Sequence, residues 1–469
     1  MEKRQVAQRR DQISTNGSQT TRRTSLGLLA SVASGLLLSA CSHVPVVNTL
    51  FGPTSEPTLS GNIGTIVSDE PQATLVGHDV LARRGNAVDA ATATAIALGV
   101  TLPSRASLGG GGACLVAPPN GDVKSIVFLP QAGQTLRGDR PASTPAMLRG
   151  LYLMQHQYGS VDFGDLILPA QKLASNGMTV SRTLASDLST VRIGLLADKN
   201  AQAIFGRDET GTVVAGDNLA QPRLASFLDR VHSAGVGDLY NGALATVYAS
   251  ASQQAGGGLT NQDLRNTLPL QTDALHSQTG RLTASFLAPP ADGGLGAAMR
   301  YQNGSNAQGT VAAWRASKSS SLSEAQAILD SNKTSNARLP ALPASTSFVV
   351  TDRNGMAVAC TLSENNLFGT GRIAGSTGIV LGASPATTPQ PLLAAAILHH
   401  NHALKAVIAA SGQNDAADAV GDAAQAAAHN ATIPHSGSGR VNVITCQGGT
   451  CHGDLDPRGT GLTVGSTER

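Results

Sequence analysis

Hydrophobic and polar positions change period several times along this chain, and each change marks an element. From Ser347 to Asp352 and from Met356 to Ser363, two short runs rich in apolar and β-branched residues flank Asn354-Gly355. That dipeptide readily takes the positive φ of a tight turn, so the two runs predict an antiparallel hairpin. Counting back from the turn places Ser363 opposite Ser345, or within a residue of it. Directly opposed side chains stand about 5 Å apart at Cβ, so two hydroxyls meet at the strand head.

Elsewhere the period lengthens. His78 to Arg84 reads as a short helix stopped by Gly85, and Asn86-Ala87-Val88-Asp89 opens an Ala-rich helix running to about Val100. Four glycines, Gly109 to Gly112, precede the strand "ACLVAP" and predict a close approach of bare backbone to a neighbouring element. Helical patterns dominate from about Ala142 to Asp263. Residues 302–340 are polar and weakly patterned, which predicts a surface excursion or a processed linker. An Ala-rich helix from about Asp415 to His429 and strands around "RVNVITC" and "GTGLTVG" close the chain, with no internal repeat. The mixture predicts an α/β or α+β fold, as one large domain or two smaller ones.

Composition narrows the partners. The chain has 469 residues, 41% of them hydrophobic, enough for a large core. Aromatics are only 3% while glycine reaches 52 residues, which leaves little for nucleic-acid stacking and favours tight small-residue packing. Residues 1–40 read as an export signal: a basic region with Arg22-Arg23 precedes a short apolar stretch, Leu26 to Ala40. The stretch ends "LSAC", which resembles a bacterial lipobox and makes Cys41 the expected lipidation site; an ordinary secretory signal is the alternative. Residues 41–60 then form a Pro/Ser-rich tether, and the expected location is a membrane-anchored periplasmic lipoprotein or a secreted protein. Without residues 1–40 the body is nearly neutral, so nothing draws it electrostatically to anionic partners.

In an oxidising compartment Cys446 and Cys451 are expected to pair across a Gly-Gly turn. Cys114 and Cys360 sit in apolar runs and are expected as buried thiols. The "HHNH" run, His399 to His402, falls where a turn between two apolar strands is expected and has no carboxylate nearby, so no metal and no other cofactor is expected.

A serine hydroxyl is a poor nucleophile unless a base takes its proton, and no His or carboxylate lies locally at Ser345. A base that needs no second side chain is the residue's own α-amine, freed by a cut just before it; its reference pKa of about 7.7 to 8 suits neutral pH.

Several stretches resemble the γ-glutamyltransferases, members of the N-terminal-nucleophile hydrolases. In order these are "VGHDVLARRGNAVDAATATAIALGV" with "LGGGGACLV", "LPAQKLASNGMTVSRTLASDL", "AGDNLAQPRLASFL" with "LYNGALA", and "STSFVVTDRNGMAVACTLSENNLFGTGRIAGSTGIVL". The resemblance implies a four-layer αββα sandwich assembled from residues 61–344 and 345–469, two fragments of one precursor that stay associated. It also implies self-cleavage before Ser345, with Thr346 as the fallback, and activity on γ-glutamyl or related amides such as glutathione. Ser363 takes the place of the family's second hydroxyl, and Asn365 that of a substrate-binding asparagine. The family's clamp for the glutamyl head is not matched: its arginine falls on Leu129, its serine pair near Leu393-Ala394, and its oxyanion glycines near Gln413 and Asn414. Arg105, Arg372 and Lys405 are candidate replacement contacts. The implied alternative is a catalytically degenerate relative serving as a binding or structural lipoprotein.

Overall fold

The computed structural model describes residues 63–401 and 403–465. The expected signal, the tether, Cys41 and His402 lie outside them. In chain order the strands of the two large sheets are β1 (Gly64–Ser68), β2 (Gly111–Ala117), β3 (Lys124–Phe128), β4 (Leu270–Asp273), β5 (Leu275–Thr279), β6 (Leu282–Phe286), β7 (Thr346–Asp352), β8 (Ala357–Ser363), β9 (Ala394–His400), β10 (Ala403–Ser411), β11 (Arg440–Gln447), β12 (Thr450–Leu455) and β13 (Leu462–Val464). One sheet runs β13-β1-β7-β8-β2-β3-β4 and the other β12-β11-β10-β9-β6-β5.

Alternation along the strands sorts side chains into three cores. In β7 and β8, Phe348, Val350, Val358 and Leu362 face helices α1 (Pro71–Ala82) and α2 (Ala87–Thr101). Val349, Ala357 and Ala359 point the other way and meet Ala395, Ile397, Val407 and Ala409 of the second sheet. Beyond that sheet, α3 (Gly293–Asn303) and α4 (Ala416–Ala428) cover Ala396, Leu398 and Ile408. The layers are therefore α, β, β, α, the expected sandwich. Alanines crowd the face between the sheets, which is where a sequence poor in aromatics can bring two sheets together. Residues before and after position 345 contribute strands to both sheets.

The predicted hairpin forms as read. Asp352 Oδ1 accepts from the amides of Asn354 and Met356, and Gly355 takes a φ of 85° in the turn. The other oxygen, Oδ2, accepts from the amide of Ala87, which fixes the hairpin against the first turn of α2. The predicted start of that helix is also observed, as a capping box between Asn86 and Asp89. The turn expected within the histidine run joins β9 to β10 at Asn401, which has a φ of 51°.

Three expectations need correcting. The helix placed at His78–Arg84 begins earlier, at Pro71, because Glu70 caps it and accepts from the Ala73 amide at 2.8 Å. Residues 302–340 are not simply a surface excursion: Ala307–Ser317 and Leu322–Asp330 are helices that bury Ala307, Val311, Trp314, Ala325 and Leu329 in the second core. Each helix has only two or three apolar anchors set among Ser, Gln and Ala, so the apolar stripe is faint in the sequence. Finally, Cys114 and Cys360 are not free thiols; they oppose each other on β2 and β8 and form a disulfide, as Cys446 and Cys451 do on β11 and β12.

Candidate active site

The β7–β8 ladder pairs Leu362 with Thr346 and Thr361 with Ser347. Continued by one step, it brings Ser363 opposite Ser345, as the turn arithmetic predicted. Both belong to the face between the sheets, at the end where β10 delivers Gly412. Ser345 is buried; its amide donates to the Gly412 carbonyl at 3.1 Å, and its Oγ lies 3.2 Å from both the Gly412 amide and the Gly412 carbonyl. Ser363 Oγ donates to the Ala344 carbonyl at 2.9 Å while accepting from the Asn365 amide at 3.1 Å. A relay of donors thus ends on the carbonyl that would have to be attacked in a cut before Ser345.

Thr346 turns to the opposite face. Its Oγ1 donates to Asp69 at 2.9 Å, and the same carboxylate accepts from the Ser347 amide and from Asn442 Nδ2. Asn442 also donates to the Ser347 carbonyl, so β1, β7 and β11 are fastened together just behind the candidate nucleophile. Neither Asp69 nor Asn442 was singled out by sequence. Their role exists only once three strands distant in the chain are adjacent.

The four glycines pack beside this point. A Cβ on Gly110 would stand 2.5 Å from the Ser363 carbonyl oxygen, and one on Gly109 2.3 Å from that of Val380. Close backbone approach requires glycine at both. Next in sequence to Ser363, Glu364 is fully buried, accepts from the Ser107 amide, and has its carboxyl pushed well above its ordinary range by loss of solvent, with Asp187 adding to the effect. Asn365 donates through Nδ2 to the Ala383 carbonyl at 3.0 Å and leaves a buried Oδ1 without a partner among the described residues.

A cavity of about 600 Å³ opens beside the Ala344–Ser345 bond. Segment 341–344 lines it, Arg105 and Asp187 form one wall, and Gly412, Gln413 and Arg440 form another. Arg105 is committed to Asp187 through two 2.7 Å bonds, and Ser104 Oγ adds a third to the same carboxylate. Gln413 Nε2 donates to the Leu342 carbonyl at 2.7 Å. Asn414 accepts from the Leu342 amide at 2.9 Å and donates to the Pro340 carbonyl at 2.8 Å. Together these two amides hold the upstream segment as a strap across the cavity.

The other candidate replacements do not come together here. Arg372 pairs with Asp139 beside a different cavity, and Lys405 donates to Asn430. Leu129 and Leu393 lie in apolar packing outside the cavity lining. Arg440, not anticipated from sequence, does line it.

The profile of the Gamma-glutamyltranspeptidase family matches residues 73–303. The chain is 28% identical over 417 residues to the Glutathione hydrolase proenzyme of Escherichia coli K12, spanning 75% of this chain and 72% of that protein. It is 29% identical over 245 residues to Glutathione hydrolase 2 of Arabidopsis thaliana, spanning 49% of this chain and 42% of that one. Among solved structures, cephalosporin acylase from Bacillus halodurans superposes with a TM-score of 0.73 at 17% identity, covering 88% of this chain and 99% of that one. The fold is that of the N-terminal-nucleophile hydrolases. Within that class, residues 73–303 match the γ-glutamyltranspeptidase family, and the curated relatives are glutathione hydrolases, which are enzymes.

Proposed function

We propose that the chain is a self-processing hydrolase or acyltransferase acting on γ-glutamyl or related amides, glutathione among them, with Ser345 as nucleophile. The observation that carries this is the arrangement around one peptide bond: Ser363 Oγ on the Ala344 carbonyl and Ser345 Oγ beside the Gly412 amide. In the first step Ser345 Oγ adds to the Ala344 carbonyl carbon, and the C–N bond breaks as the nitrogen gains a proton. Water then hydrolyses the resulting ester, leaving a carboxylate on Ala344 and a free α-amine on Ser345. Ser363 polarises the carbonyl and meets the charge that develops on its oxygen.

In the mature enzyme that amine accepts the Ser345 Oγ proton as the oxygen attacks the substrate amide, then passes it to the departing amine. Water or an acceptor amine resolves the acyl ester. Asn365, Gln413 and Asn414 would contact the donor once the strap leaves, and Arg105 would shape the opposite wall. The relatives' names support the amide class, and the hydrogen bonds around the Ala344–Ser345 bond support Ser345 as nucleophile. An inert scaffold, the alternative reading, finds no supporting feature at this intact hairpin. By the same proposal the N-terminal residues direct export and Cys41 carries the lipid anchor.

The test is a denaturing gel of the reduced protein with N-terminal sequencing of its bands. Two fragments, the smaller beginning Ser-Thr-Ser, are expected, and Ser345→Ala should leave one full-length band. A wild-type protein that stays intact, or a terminus elsewhere, overturns the reading.

A further inference from the structure

The charges of the cavity do not balance. Its lining carries three charged side chains, Arg105, Asp187 and Arg440. Arg105 grips Asp187 through both carboxylate oxygens, so that pair is neutral as a unit and Asp187 has little left to offer a ligand. Among the described residues the Arg440 guanidinium has no carboxylate or other acceptor within hydrogen-bonding distance. It is the first residue of β11 and stands opposite Ser411, next to the Gly412 that bonds Ser345.

The loop leading to Arg440 is also held from behind. Arg458, itself paired with Asp456, donates to the Gly439 carbonyl at 2.7 Å and to that of Gly437. That brace limits the backbone freedom of the segment presenting Arg440 and lowers the ordering cost of using it. An uncompensated guanidinium on a partly enclosed wall is a ready partner for a carboxylate, which it can meet with two parallel hydrogen bonds. The same lining offers an ammonium group no free carboxylate.

We propose that Arg440 is the anion-recognition residue of this site, and that the preferred acyl donors are amides whose acyl chain ends in a carboxylate and needs no α-amino group. This rests on the cavity being the acyl-donor site, and it deepens that reading by naming what replaces the unmatched clamp. Leu129 leaves no cation at the family's arginine position; Arg440 supplies one from the facing sheet.

Glutarate, a dicarboxylate without an amine, and its neutral diamide are the probes for titration calorimetry. Wild-type protein should bind glutarate at least about tenfold more tightly than the diamide, Arg440→Gln should erase that preference, and Arg440→Lys should restore part of it. Equal binding of the two probes by wild type, or an unchanged preference in Arg440→Gln, overturns the proposal. The titration uses cut protein, because the strap covers the cavity before the cut; an intact band on the gel therefore overturns both readings, while lost discrimination in cut protein sinks only the role of Arg440. As a second readout, cleaved wild type should turn over a glutaryl anilide faster than its carboxamide counterpart and at least as fast as the γ-glutamyl anilide; the reverse order counts against the proposal.

Discussion

The two walls flanking the Ala344–Ser345 bond are built differently. The hairpin wall is a backbone ladder: Ser345 and Ser363 are set by strand register, and Asp69 and Asn442 pin that register from behind. The facing wall works through long side chains, with Gln413 and Asn414 reaching to the strap and Arg440 lining the cavity. A ladder fixes positions to within a fraction of an ångström because many bonds share the task, whereas a side-chain wall can change one residue without disturbing the rest. On the proposed function, the bond-breaking groups sit on the conserving architecture and the recognition groups on the permissive one. This explains how a chain can keep the family's nucleophile hairpin while its glutamyl clamp is unmatched.

That contrast can be broken most sharply at Ser363. Ser363→Ala removes the hydroxyl donor from the Ala344 carbonyl, and fragment formation should slow by about a hundredfold or more, followed as a time course on reducing gels. A rate within a few-fold of wild type would move the polarising role away from the hairpin wall. Thr346→Val tests the back of the same wall. Losing its bond to Asp69 should lower stability by about 1 kcal/mol in denaturant unfolding and leave the new terminus at Ser345; a variant that stays uncut would make Thr346 the nucleophile instead.

The smallest expected effect concerns Glu364. Burial raises its folded-state pKa, so the folded protein holds a proton that the unfolded chain releases above the ordinary value of 4.5. Stability present below that value is lost as pH rises through the folded pKa. Glu364→Gln should therefore gain stability relative to wild type as pH increases, with little difference in acid. Parallel pH–stability curves would show that the group is not held protonated.

The hairpin was legible in sequence because its information is local: a turn dipeptide, two period-two runs, and a count from one to the other. Ser345 and Ser363 could be paired on that basis alone. The opening of α2 was legible for the same reason, since Asn86 and Asp89 cap within one turn. What sequence missed depends on neighbours remote in the chain. Cys114 and Cys360 are 246 residues apart and pair only because β2 and β8 are adjacent. Asp69 needs β7 and β11 beside it, and Arg440 becomes a candidate only when its cavity closes. The helices within residues 302–340 were missed for another reason, because two or three apolar anchors per short helix, set among Ser and Gln, barely distinguish a buried stripe from a polar loop.

The Cys114–Cys360 link spans the proposed cut, with one sulfur on each side of Ala344–Ser345. Maturation would therefore yield two polypeptides that remain a single covalent molecule. Without a thiol reagent they would migrate together, and dilution could not separate them. The freed ends at 344 and 345 could part widely while the strands bearing the two sulfurs stayed stitched side by side.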